Sequence, residues 1–226
     1  MINSLFTKSY KWPSNNSLAI LRLSLFVKRI LKLIHLDNKV GKIFLKRTDL
    51  HNDASHKPVN AFQSVSLAKY LGYKKCITET GASMNARAVA AACAKLDIEC
   101  EVHIGAVDAK KVSLNKDITE LYGAKIVVVH DSTATLLPAM ASALRAWQND
   151  PSAMYVVGSA AGPHPYPLMV RTFASVIGRI AKKQFIEKVG MVPDTLWSVC
   201  GGGSNMLGIS YAFLNEKTEI FAIESA

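Results

Sequence analysis

The sequence lacks any run of roughly 18 uncharged apolar residues, the length a helix needs to cross a bilayer, so no membrane-spanning helix is expected. Cysteine is scarce. Cys76, Cys93, Cys100 and Cys200 form no CxxC pair and have no metal-ligand spacing with the six histidines, so no metal site is assigned. Each lies in an apolar run, where a free thiol behaves as a small hydrophobe, and this usage fits a reducing cytoplasm. With 13 Gly and 8 Pro the chain is not collagen-like or glycine-rich. Acidic residues are also short, 17 against 27 Lys and Arg.

What is present is apolar. Half of the 226 residues are hydrophobic, which excludes a disordered polyelectrolyte and supplies enough material for a core. The formal charge of +10 invites a nucleic-acid reading, but it is unevenly placed. Residues 1–50 hold ten basic and two acidic side chains, while 51–226 hold 17 and 15. A nearly neutral body carries no basic stripe, so no nucleic-acid partner is expected. From Ser17 to Leu36 an apolar run is broken by Arg22, Lys28, Arg29 and Lys32, which spoils a secretory signal. A basic amphipathic helix on a membrane surface is one reading. A basic helix packed on the body is the preferred one, with no membrane partner.

From Lys42 onward, strand-like and helix-like runs alternate. Strands are expected at 42–46, 75–79, 98–104, 125–130, 154–157, 196–200 and 219–223. Helices are expected at 58–70, 85–96, 110–122, 136–147, 168–189 and 205–214. Strands separated by helices imply βαβ units, hence an α/β fold with parallel sheets flanked by helices. In such sheets ligands bind beyond the carboxyl ends of the strands, near helix N-termini.

Three strand ends carry candidate chemistry. Gly201-Gly202-Gly203-Ser204-Asn205 follows one strand and opens a helix; glycines let backbone N–H groups approach an anion, and Ser204 and Asn205 add side-chain donors. The loop is neither GxGxxG nor a GK[ST] loop, and it suits a compact phosphate. Ser55-His56-Lys57-Pro58 opens another helix. Most lysines are solvated surface charges, but one in a partly buried pocket loses solvation and offers a neutral amine, as Schiff-base chemistry with an aldehyde cofactor requires. Thr78-Glu79-Thr80-Gly81-Ala82-Ser83 is the third. Thr80, Ser83 and loop N–H groups can hold a carboxylate, and Glu79 can move protons; its alternative is an exposed glutamate favoured by a helix start.

Together these motifs resemble the β subunit of tryptophan synthase, a fold-type-II enzyme dependent on pyridoxal 5′-phosphate (PLP). The resemblance runs from about Lys42 to the end and is most specific over Gly158-Ser-Ala-Ala-Gly-Pro-His-Pro-Tyr-Pro-Leu-Met-Val-Arg171. Lys42-Ile-Phe-Leu-Lys-Arg-Thr-Asp-Leu50, His56-Lys57, Glu79-Thr-Gly-Ala82 and Val199-Cys-Gly-Gly-Gly-Ser-Asn205 support it in order and spacing. It implies that Lys57 holds PLP covalently, with His56 near the phosphate and Gly201, Gly202, Gly203, Ser204 and Asn205 binding that phosphate. Glu79 would be the acid/base residue, and Thr80, Gly81 and Ala82 part of the carboxylate loop, which Ser83 extends. The implied reaction joins L-serine and indole to give L-tryptophan. An α-subunit partner and a homodimer are implied with it. The implied division is a divergent basic segment at 1–41, an N-terminal part with the PLP lysine at 42–71, a mobile small α/β subdomain at 72–159, and an incomplete large PLP-binding domain at 160–226.

The departures are specific. Where the family reads Gly-Gln-His-Gly after Glu-Thr-Gly-Ala, this chain reads Ser83-Met84-Asn85-Ala86, which should crowd the loop. The family's Thr-Gly-Ala-His-Lys is Asp53-Ala54-Ser55-His56-Lys57, its Glu-Arg-Gln is Lys110-Lys111-Val112, and residues 1–40 match poorly. The chain ends at Ala226, where the family continues into the rest of its large domain, with the residue contacting the PLP ring nitrogen, a monovalent-cation site and much of the indole tunnel wall. A sheet ending there is expected to expose an apolar edge and face. The reading is therefore a truncated, divergent relative. It is an active lyase, a catalytically degenerate paralogue that binds at most PLP or an α subunit, or a PLP-dependent amino-acid lyase with altered carboxylate recognition.

Overall fold

The computed structural model describes residues 31–34, 41–131 and 133–224. In chain order its regular elements are β1 (Leu31–Ile34), β2 (Ile43–Lys46), α1 (Lys57–Tyr70), β3 (Lys75–Thr80), α2 (Met84–Leu96), β4 (Glu99–Gly105), α3 (Ala106–Lys111), α4 (Ser113–Leu121), β5 (Lys125–Val129), α5 (Leu136–Gln148), β6 (Ala153–Tyr155), α6 (Tyr166–Val189), β7 (Thr195–Val199), α7 (Ser204–Ser210) and β8 (Glu219–Ile223). Short 3-10 turns at Thr48–Leu50, Asn52–Ala54 and Tyr211–Phe213 join some of them. The chain divides into two compact units, one of residues 1–56 with 159–226 and one of residues 57–158. α1 packs on α2 and so belongs to the second unit, whereas the sequence reading placed 42–71 in a segment of its own.

The second unit is built on a parallel sheet in the order β5-β4-β3-β6. Parallel strands must be covered on both faces, and the sequence shows it: β3 and β4 are almost wholly buried runs rather than alternating ones. In the β3–β4 register Cys76 lies opposite Cys100 and Thr78 opposite Val102, while Ile77 lies opposite Glu101 and Glu79 opposite His103. Side chains alternate across a strand, so these pairs occupy opposite faces. α2 and α5 both lie against β3 and β4, and small side chains are buried on each: Ala88, Ala90 and Ala92 on α2, and the fully buried Ala139 and Ala143 on α5. The helix expected over 110–122 starts at Ala106 and is two helices, because Val112 leaves helical geometry at φ −124°, ψ 37°.

One buried ion cluster sits on β4. Burial pushes the Glu101 carboxyl up, but Lys75 at 2.9 Å, Lys125 at 3.1 Å and His103 Nε2 at 3.0 Å outweigh it and hold the group at about 2. The far ring nitrogen of His103 lies 2.9 Å from the Ser142 hydroxyl on α5.

In the other unit, β1 pairs antiparallel with β2, from Leu31 opposite Lys46 to Ile34 opposite Ile43. This corrects the expected basic helix at its C-terminal end: Leu-Lys-Leu has a period of two, and β2 offers a row of backbone donors and acceptors. The remainder of that expected helix lies outside the described residues. Phe44 on β2 packs edge-on against Phe185 of α6, with ring centroids 4.9 Å apart. α6 crosses α7 closely, because a Cβ on Gly208 would lie 2.9 Å from the Cβ of Ala174. β7 and β8 are parallel, and their shared face carries Trp197 stacked on Phe221 at 4.2 Å, with Val199 and Ile223 beside them. Trp197 is 59% exposed and Val199 61%.

Lys46 is tied to Gln184 Oε1 at 2.7 Å, and burial lowers its amine from 10.5 to about 8. The folded chain therefore releases this proton before the unfolded chain does, so the group adds stability as pH rises from about 8 to 10.5. Thermal melting followed across that range should rise less, or fall more, in Lys46→Met than in the parent chain.

Candidate active site

β3 delivers Glu79 and Thr80 to the carboxyl end of the sheet, and α1 begins with Lys57. In the 57–158 unit these groups converge on one residue. Lys57 Nζ donates to the carbonyl of Gly158, and the Gly158 N–H donates to the Glu79 carboxylate. Tyr155 Oη donates to Glu79 Oε2 at 2.5 Å. Burial lowers the affinity of Lys57 for its proton, against the pull of the Glu79 charge. Burial likewise raises the Glu79 carboxyl, opposed by Tyr155, by backbone donors and by Lys57. A neutral amine is therefore within reach at Lys57 and a protonated acid at Glu79, the two states that nucleophilic and general-acid chemistry need.

This arrangement exists because the β3–β6 ladder ends early. Its last residue pair is Ile77 with Tyr155, and the N–H of Val156 still reaches Ile77 O at 2.8 Å. The next three carbonyls are taken by side chains: Val156 O by Thr78 Oγ1 at 2.6 Å, Val157 O by Asn60 Nδ2 at 3.0 Å, and Gly158 O by Lys57. The strand expected over 154–157 thus stops at Tyr155, and its continuation becomes the wall of the site. Tyr155, Asn60, Thr78 and Gly158 were not singled out as site residues from the sequence. Tyr155 is brought to Glu79 by the pairing of β6 with β3, a register that is not written locally.

Thr80, Gly81, Ala82 and Ser83 run from the end of β3 into the first turn of α2. Ser83 is 1% exposed, its hydroxyl has no hydrogen-bond partner, and its φ is +65°. Ala54, three residues before Lys57, has φ +49°. Both are left-handed conformations that an L side chain resists and glycine accepts. Both stand where the tryptophan synthase β motifs have glycine, and here an L side chain carries the strain.

In the other unit, His56 Nε2 lies 3.0 Å from Ser204 Oγ, and Ser204 is buried at the first position of α7. Gly201 has open space around it, a Cβ on Gly202 would come within 2.6 Å of Ser159 Cβ, and Gly203 has φ +81°. Ala160 N–H donates to Gly202 O at 2.7 Å and fixes the loop. Asn205 turns its amide back to β7, to Ser198 Oγ at 2.9 Å and Val199 O at 3.0 Å, so its side chain braces the loop. A shallow cavity of about 430 Å³ lined by Arg179, Lys182 and Ile186 lies along α6 and contains none of these residues. Among the described residues no cluster of His, Cys, Asp and Glu is suited to a metal ion, and no helix is long and apolar enough to cross a membrane.

The class that this fold and these residues define is met by comparison with known proteins. The model of the pyridoxal-phosphate dependent enzyme family matches residues 24–226, and the chain belongs to that family, whose members depend on PLP. The tryptophan synthase beta chain of Vesicomyosocius okutanii is 44% identical over 188 residues, 82% of this chain and 47% of its own. Tryptophan synthase beta chain 1 of Wolinella succinogenes is 44% identical over 192 residues, 84% of this chain and 48% of its own. The chain thus spans about half the length of the curated relatives it matches. Solved structures share the fold at low identity. A threonine deaminase from T.th. is 19% identical with a TM-score of 0.69, covering 94% of this chain and 65% of its own. The Escherichia coli diaminopropionate ammonia lyase is 16% identical with a TM-score of 0.70, covering 97% and 67%. The fold is α/β of fold-type-II PLP enzymes, as expected.

The residues present fit the cofactor. Lys57 is a largely buried amine, and Gly201–Gly203 form a loop whose middle member admits no Cβ. Ser204 adds a hydroxyl beside an imidazole, and helix-opening N–H groups lack intrahelical acceptors.

Relieving the left-handed strain gives a measurable gain. Ala54→Gly and Ser83→Gly are each expected to raise stability by about 1 kcal/mol, read as a shift of the urea midpoint, with the Ser83 change also removing a buried unpaired hydroxyl.

Proposed function

We propose that this chain carries the chemistry of a PLP-dependent β-replacement lyase, with L-serine and indole as substrates and L-tryptophan as product. The observation that carries the reading is the convergence of Lys57 and Glu79 on Gly158. When bound, PLP supplies an electron sink for the amino acid's α-carbon. The chain's own residues supply the rest. Burial favours the neutral form of the Lys57 amine, which can attack an aldehyde and afterwards accept or return a proton at Nζ. Glu79, gripped by Tyr155 and the Gly158 N–H, is placed to give its proton to a departing hydroxyl and to receive one from an incoming nucleophile. Thr80, Gly81, Ala82 and Ser83 offer hydroxyls and N–H groups at the start of α2 for a substrate carboxylate. Gly201, Gly202, Gly203, Ser204 and the Asn205 main chain take the phosphate, with His56 fixing the Ser204 hydroxyl.

The similarity to tryptophan synthase beta chains supports association with an α subunit and with a second copy, in a reducing cytoplasm that suits four free cysteines. A second reading, a lyase with altered carboxylate recognition, is favoured by one observation: the Ser83 hydroxyl replaces a glycine inside the carboxylate loop. A degenerate paralogue that retains only cofactor or α-subunit binding is its limiting case.

The test is spectroscopic. The full chain with added PLP should develop a visible absorbance band that Lys57→Ala lacks, and serine should shift it. No band in the parent chain sinks the enzyme reading. A band that serine leaves unchanged, while another amino acid shifts it, selects altered recognition.

A further inference from the structure

We propose that Asn85 is a positioning residue for Glu79, acting from the opposite face of the sheet. Asn85 lies in the first turn of α2 and is 7% exposed. Its Nδ2 donates twice to consecutive residues of β3, to Thr78 Oγ1 at 2.9 Å and to the main-chain carbonyl of Glu79 at 3.1 Å. The Thr78 hydroxyl passes its own hydrogen to Val156 O at 2.6 Å. One amide thus couples the end of β3 to the chain leaving β6, at the point where main-chain pairing between them has stopped. The space it fills is the space Gly158 leaves empty: a Cβ on Gly158 would fall on the Asn85 amide.

The consequence falls on the carboxylate. Of its three donors, Glu79's own N–H lies on β3 with it, while Tyr155 Oη and the Gly158 N–H belong to the chain on the β6 side. Anything that loosens the junction between the two lengthens those bonds. The titratable groups facing Glu79 are Tyr155 from β6 and Lys57 from α1. The clamp's functional meaning rests on the reading of Glu79 as the acid/base group; the geometry does not.

The experiment follows the Glu79 carboxyl by ¹³C NMR in the full chain without cofactor, with the signal assigned by its loss in Glu79→Gln. Asn85→Leu keeps the shape and removes the donors. It is expected to raise the Glu79 midpoint by about half a unit or more, because the bonds that favour the ionised form weaken while burial persists. Thr78→Val should move the midpoint in the same direction, and the double variant no further than the larger single change. A midpoint unmoved or lowered, with only the melting temperature reduced, would mean that Asn85 merely packs and would overturn the proposal. If Asn85→Leu does not fold, the shape-preserving Thr78→Val decides alone. Since no cofactor is present, a chain that fails to bind PLP still reports on the clamp, and the two failures are told apart.

Discussion

Beyond Tyr155, three successive carbonyls are held by side chains in place of a neighbouring strand: Val156 by Thr78, Val157 by Asn60 and Gly158 by Lys57. Buried carbonyls need partners, and here the partners come from α1 and β3. That substitution turns the end of a sheet into a site. It brings the Lys57 amine and the Glu79 carboxylate to the two polar groups of one residue, and it fixes where each must lie. A longer β3–β6 ladder would have paired those carbonyls with main-chain donors and left Lys57 without its acceptor.

Two buried glutamates on the same face of the sheet show how environment assigns roles. Glu101 is surrounded by Lys75, Lys125 and His103 and stays ionised, held at about 2. Glu79 has a hydroxyl and backbone N–H groups as its closest donors, with Lys57 as its nearby cation, and its carboxyl is raised. The first is a structural anion that ties β3, β4, β5 and α5 together. The second has no such ring of cations, and it is the one to which the proposed acid/base role falls. Two like groups on one sheet face are thus pushed in opposite directions by what surrounds them.

Two departures from the tryptophan synthase β motifs are costly in energy. Ala54 and Ser83 occupy left-handed conformations that glycine would adopt freely. Ser83 holds its conformation while buried within the 57–158 unit. Asn85, in the same altered loop, is committed to the backbone of β3.

Periodicity and the β-branched runs located most elements within a residue or two, because long helices and buried strands leave a local pattern. The strand at 219–223 and the helix beginning near 85 were legible in this way. The motifs also named Lys57, Glu79, the 80–83 loop and the Gly201–Asn205 loop, because each stands at a strand-to-helix junction and together they resemble a known family in order and spacing. What the sequence by itself determined was the α/β class and the identity of these candidates. The tertiary structure alone decided that the helix over 110–122 breaks at Val112, that Leu31–Ile34 is a strand, and that Tyr155, Asn60, Thr78 and Asn85 meet around Gly158. Those contacts join residues far apart along the chain. They depend on strand register, and no local pattern of side chains records which strand a strand will lie beside.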